Sequence, residues 1–168
     1  MGRWTFPVAA AIAIVTCGPE CSAQNLISKK YVLDRGQSDD AFRAITSGVH
    51  SPSDVTWPDL RRRLYKSSLP TDSLRMTSIA GQITVSDDTP RPIIHVLAGG
   101  ETMKWKINDG QIIDVSAKTM GESVFMTYRG RDYERTTVYR NVGQQLVAET
   151  TIISPRISTP IYYRLVYK

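Results

Sequence analysis

Cysteine is nearly absent from this 168-residue chain: two occur, Cys17 and Cys21, both close to the N-terminus. The rest of the chain therefore encodes no disulfide framework and no thiol chemistry. Histidine is as scarce, with only His50 and His95, and neither has a second His or a Cys at metal-ligand spacing. That leaves no ligand set for zinc or iron. No Gly-x-Ser-x-Gly elbow is present to start a Ser–His–acid triad. Gly99-Gly100 is not followed by Lys-Ser/Thr and a helix, so it reads as a hairpin turn, not a phosphate loop. Long apolar runs are missing too. Residues 7–16 (PVAAAIAIVT) form a run of ten, and a bilayer span needs roughly 18 or more.

The position of that run gives it a use. It follows Arg3 and precedes Cys21-Ser22-Ala23, which puts small residues where a signal peptidase reads them. The expectation is a removable signal peptide over 1–23, cleavage after Ala23, and one domain over 24–168. Cleavage removes both cysteines. A rival reading lipidates Cys17, but Ile14-Val15-Thr16 is a poor lipobox. The implied compartment is periplasmic or secreted, with no transmembrane span after cleavage.

The net charge is +5, and loss of Arg3 and Glu20 with the signal peptide leaves it unchanged. Most basic residues are scattered, apart from Arg61, Arg62 and Arg63. A nucleic-acid binder needs a basic surface joined to stacking aromatics or a known module, and none is present. The cluster reads as a solvated helix face, or as a contact for an acidic envelope surface or anionic ligand.

Pattern along the chain changes once. Residues 30–34 read as a first strand. Ser38-Asp39-Asp40 is a helix start, with Ala41, Phe42 and Ile45 at helical spacing and Gly48 as a stop. A second helix starts at Thr56, with Pro58 early and Asp59 three residues past the cap. Trp57, Leu60 and Leu64 share one face, and Arg61, Arg62 and Arg63 mostly point away. Pro70 ends the helical region.

From Leu74 the apolar period falls to two. Strands are expected at 74–79, 82–86, 92–97, 102–107, 112–118, 123–129, 133–141, 145–153 and 161–167, rich in Val, Ile, Thr and Tyr. Turn residues separate them, including Ala80-Gly81, Asp87-Asp88, Gly99-Gly100, Asn108-Asp109-Gly110, Gly130-Arg131-Asp132 and Val142-Gly143. This is a mainly β, antiparallel up-and-down meander of about ten strands. A meander that long hides its edges by closing into a barrel, and the helix pair between strands one and two would cap one end. The arrangement resembles intracellular fatty-acid-binding proteins and the wider calycin superfamily.

Three stretches are similar to a group of secreted bacterial lipocalin-like proteins. That group opens with Gly-x-Trp-x-Leu-Asp and then Lys-Ser-Asp. Here Tyr31-Val32-Leu33-Asp34 and Gln37-Ser38-Asp39-Asp40 correspond, with Lys29 and Tyr31 in place of the Gly and Trp. Residues 62–68 (RRLYKSS) resemble its basic helix end, and the stretch from Thr151 to Tyr167 its last hairpin. The resemblance implies a calycin-type barrel with Tyr31 packed across the closed end, and it supplies no substrate.

Alternation sorts the side chains by face. Ile161, Tyr163, Leu165 and Tyr167 share the more apolar side of the last strand. Met103, Trp105 and Ile107 share a side opposite Thr102, Lys104 and Lys106. The strand from Tyr133 is ambiguous. Tyr133, Arg135, Thr137 and Tyr139 are on one side, and Glu134, Thr136, Val138 and Arg140 on the other. Either the first set faces out in cross-strand polar pairs, or it faces in and takes Arg135 with it. In the second case the desolvated guanidinium needs an anion, and its fork fits a carboxylate.

The candidate ligand-binding residues are thus Trp105, Tyr133, Arg135, Tyr139 and Tyr163, for a small hydrophobic or carboxylate-bearing ligand. No cofactor or catalytic residue is assigned. The alternative function is a non-enzymatic envelope structural or interaction protein with a filled barrel. The enzyme reading puts isomerase chemistry, or a haem held by His95 alone, ahead of hydrolysis.

Overall fold

The computed structural model describes residues 29–49, 57–88, 93–107 and 110–168. The expected signal peptide, both cysteines and His50 lie outside them. Ten strands and two helices follow in chain order: β1 Lys29–Val32, α1 Ala41–Gly48, α2 Trp57–Ser68, β2 Ser73–Ile79, β3 Gln82–Ser86, β4 Ile94–Leu97, β5 Gly99–Lys106, β6 Ile112–Met120, β7 Ser123–Arg129, β8 Glu134–Val142, β9 Gln145–Ile153 and β10 Ile161–Tyr167.

Every ladder is antiparallel, and the strands form sheets β1-β2-β3-β4 and β10-β9-β8-β7-β6-β5. The sheets join where Leu33 bridges Tyr167. There Val32 and Lys168 exchange backbone bonds of 2.7 and 2.8 Å. No ladder joins β4 to β5. Ala98 links the two, its N–H donating to Gly81 and its carbonyl accepting from Thr119. The barrel is thus zipped along one seam and open along the other. The Gly99-Gly100 hairpin expected from sequence is not formed. Both glycines belong to β5, which takes a bulge between Gly99 and Thr102; with β4 and β5 unpaired, there is no hairpin for them to turn.

α1 starts where Asp40 accepts from the Arg43 N–H at 2.9 Å, which satisfies an otherwise orphaned donor. Ala41 and Ile45 are buried, but Phe42 is not. It lies on the outer face, stacked on Tyr65 of α2 with ring centroids 4.8 Å apart. Leu60 and Leu64 of α2 are fully buried; the Trp57 side chain lies outside the description. Arg62 pairs with Asp59 as a surface bond. Arg63 departs from the solvated cluster expected of it: it pairs with Asp132 in the β7–β8 turn, both largely shielded from solvent.

The core is one continuous cluster inside the barrel and under the helices. Every second residue feeds it: Ile113, Val115 and Ala117 from β6, Val124, Met126 and Tyr128 from β7, Leu146, Ala148 and Ile152 from β9. The outer face carries cross-strand ion pairs, Arg129–Glu134, Arg140–Glu149 and Lys104–Asp114. Tyr31 is buried at the end away from the helices, its hydroxyl donating to Asn141 of β8 at 3.3 Å.

Candidate functional site

β8 resolves its ambiguity inward. Glu134 and Arg140 are taken by outward ion pairs with Arg129 and Glu149. Tyr133, Thr137 and Tyr139 are buried, and the strand's pleat carries Arg135 in with them. The reading that turned the Tyr133, Arg135, Thr137 and Tyr139 face outward in polar pairs is therefore overturned: the pairs belong to the opposite face.

The guanidinium is enclosed by aromatic and polar groups. Its central carbon lies 3.7 Å from the centroid of the Tyr128 ring, a cation–π contact. Nη1 donates to the Ser67 carbonyl. Nε is buried and has no partner among the described residues, and no ion pair there joins Arg135 to a carboxylate. Burial works against its charged form. At high pH, charge on the surrounding phenols, Tyr128 first, more than offsets that, so the guanidinium holds its proton more firmly than usual. Burial in turn pushes the phenols of Tyr128, Tyr139, Tyr163 and Tyr167 up from their ordinary value. They stand as neutral hydroxyls around one fixed positive charge.

A cavity of about 90 Å³ adjoins this group. Trp105, Arg135, Tyr139 and Tyr163 line it, with Tyr128, Thr137, Thr150 and Tyr167. Residues 67–71, at and just after the end of α2, roof it. Trp105 packs edge-on to Tyr128, centroids 6.4 Å apart. Tyr133 does not line the cavity. Its ring is pressed against Gly130, where an added Cβ would sit 2.3 Å from it. Its hydroxyl donates to Ser67 Oγ at 2.8 Å.

The last carbonyls of a helix lack partners within the helix. Here the barrel interior supplies them. Arg135 reaches the Ser67 carbonyl, and the Tyr163 hydroxyl donates to the Ser68 carbonyl at 2.7 Å. A cation at a helix C-terminus also opposes the negative end of its dipole. Sequence reasoning passed over Ser67, Ser68 and Tyr128. The alternation of Val124, Met126 and Tyr128 on β7 carried a signal for the last of these. Nothing local marks the two serines.

His95 is exposed on the outer face of β4, beside the Thr84 hydroxyl at 3.1 Å. It is turned away from the interior and cannot ligate a haem held there. Among the described residues no cluster of His, Cys, Asp or Glu suits a metal ion. No described helix is long and apolar enough to cross a membrane.

No family model and no curated protein sequence matches the chain. Solved structures match its shape. A secretory abundant heat soluble protein from Ramazzottius varieornatus superposes with a TM-score of 0.59 at 10% identity, over 85% of this chain and 94% of that one. A fatty-acid-binding protein from Drosophila melanogaster brain gives 0.55 at 18%, over 85% and 98%. A luciferase domain from the dinoflagellate Lingulodinium polyedrum gives 0.54 at 12%, over 84% and 42%. At such identities the likeness establishes the fold, a calycin-type barrel of the fatty-acid-binding-protein kind. It does not establish an activity.

Proposed function

We propose that the protein is an exported, non-enzymatic barrel that binds a small amphipathic molecule through an anionic, carboxylate-type head placed against Arg135. One observation carries this reading: a guanidinium on the cavity wall whose buried Nε has no partner, and which forms no ion pair with a carboxylate, among the described residues, although Asp87 lines the same cavity. A buried charge without a counter-charge is costly, and a planar anion fits the guanidinium edge. The fatty-acid-binding proteins among its structural neighbours support it. The luciferase neighbour shows that this fold also hosts catalysis; the described residues that line this cavity include no His or Cys.

The cavity volume narrows the ligand. About 90 Å³ is well below the roughly 300–1,000 Å³ of ordinary ligand pockets. It has room for a head group and a short chain. Native mass spectrometry and probe displacement across butyrate, hexanoate, octanoate and decanoate test this. Affinity should stop rising once the chain outgrows the cavity, and Arg135→Gln should weaken binding at least tenfold. A protein that retains none of these acids overturns the reading.

The same small volume favours a second reading, a filled barrel serving as an envelope interaction protein. Its test is a cross-linking pulldown from envelope fractions, lost on charge reversal of Arg61 and Arg62. Arg63 is excluded because Asp132 already holds it. Export itself rests on residues 1–23. Mass analysis of the secreted product should find a chain beginning at Gln24.

A further inference from the structure

We propose that Arg135 binds the ligand and the lid helix at the same time, so that an anionic ligand tightens α2 and an uncharged one does not. The proposal rests on the carboxylate-binding reading above and extends it to the helix over the site.

The geometry of the guanidinium carries the argument. Arginine presents five N–H donors in one plane, in two usable edges. The end-on edge includes Nη1, and Nη1 is committed to the Ser67 carbonyl in the last turn of α2. The side-on edge includes Nε, which is buried and unpartnered among the described residues. Tyr128 covers the flat face with its ring. A carboxylate can therefore bind along the Nε edge while Nη1 keeps its carbonyl. No exchange of partners is required.

The consequence is a link between two sites. The ligand carboxylate would hold the guanidinium in place and complete its hydrogen bonding. A guanidinium held more rigidly holds the Ser67 carbonyl more firmly. Binding free energies are reciprocal, so whatever fastens α2 also favours the anion. The remaining fasteners do not involve Arg135. Tyr133 donates to Ser67 Oγ, Tyr163 to the Ser68 carbonyl, and Asp132 pairs with Arg63. They keep the helix in place when the ligand leaves, so the coupling changes the helix's local opening rather than its presence. Lysine has one ammonium and no fixed fork. Arg135→Lys should keep the charge and lose the bridge.

Hydrogen exchange of the full chain, followed by mass spectrometry over residues 57–68, tests this with hexanoate and 1-hexanol as probes. Saturating hexanoate should slow exchange in the last turn of α2 by threefold or more, and 1-hexanol should leave it unchanged. Arg135→Lys should bind hexanoate more weakly with no slowing. If hexanoate binds and exchange in α2 is unchanged or faster, the bridge is wrong although the binding reading survives. If no carboxylate binds, the binding reading falls. The helix contact is then judged in the ligand-free chain: Arg135→Gln must speed exchange in α2, and unchanged exchange disposes of it as well.

Discussion

At the scale of single residues, Ser67 is the point where lid and barrel meet. Its carbonyl accepts from Arg135, and its hydroxyl accepts from Tyr133 and donates to the Arg63 carbonyl at 2.9 Å. Tyr133→Phe removes one buried hydrogen bond and keeps the ring. The expected loss is about 1 kcal/mol of unfolding free energy, read by urea titration. Arg135 differs in kind. Its charge has no role in the outer ion pairs, so its removal should be felt in ligand binding. Trp105 and Tyr163 could be placed on inward faces from alternation alone; Tyr139 shares the ambiguity of its strand. Arg135 could not, because a charged residue beside Glu134 and Arg140 is locally consistent with either face.

At the scale of elements, α1 is seated by close approach. Gly48, at its C-terminal end, lies where an added Cβ would meet Ile161 Cγ1 of β10 at 2.3 Å. Ile161 is itself buried, so it has little room to yield. Gly48→Ala should destabilise the fold by about 1–3 kcal/mol through overpacking, measured as a lowered denaturation midpoint with an unchanged slope. The sequence marks Gly48 as a helix stop, whereas the structure adds a reason of packing. Strand bounds at β3, β7, β9 and β10 match the sequence reading, because period-two alternation ends at recognisable turns such as Gly81, which takes φ +77°. The β4–β5 junction was misread for a converse reason. Two glycines are a turn signal locally, but whether the flanking strands pair is decided by how the barrel closes.

At the scale of the whole molecule, the interior collects ionisable hydroxyls. The phenols of Tyr128, Tyr139, Tyr163 and Tyr167 titrate higher when folded because burial disfavours the phenolate. Above pH of about 10 the unfolded chain releases these protons while the folded chain retains them. The unfolded state then binds fewer protons, so stability is present below that pH and falls as pH rises past it. The slope should approach about 1.4 kcal/mol per pH unit for each such tyrosine. Urea titrations at pH 9, 10 and 11 should show the loss, with tyrosinate absorbance appearing together with unfolding. A folded chain that ionises all four below pH 10.5 would contradict their burial.

Strand number, helix placement, and the division of each strand into two faces follow from the sequence by itself, since they depend on local sterics and on periods of two and 3.6. The tertiary structure decided three further things. It chose the inward face of β8, left β4 unpaired with β5, and set the Asp132–Arg63 and Arg135–Ser67 contacts. Each depends on residues far apart in the chain that meet only after closure. Alternation says which side chains travel together; only the folded barrel says what they face.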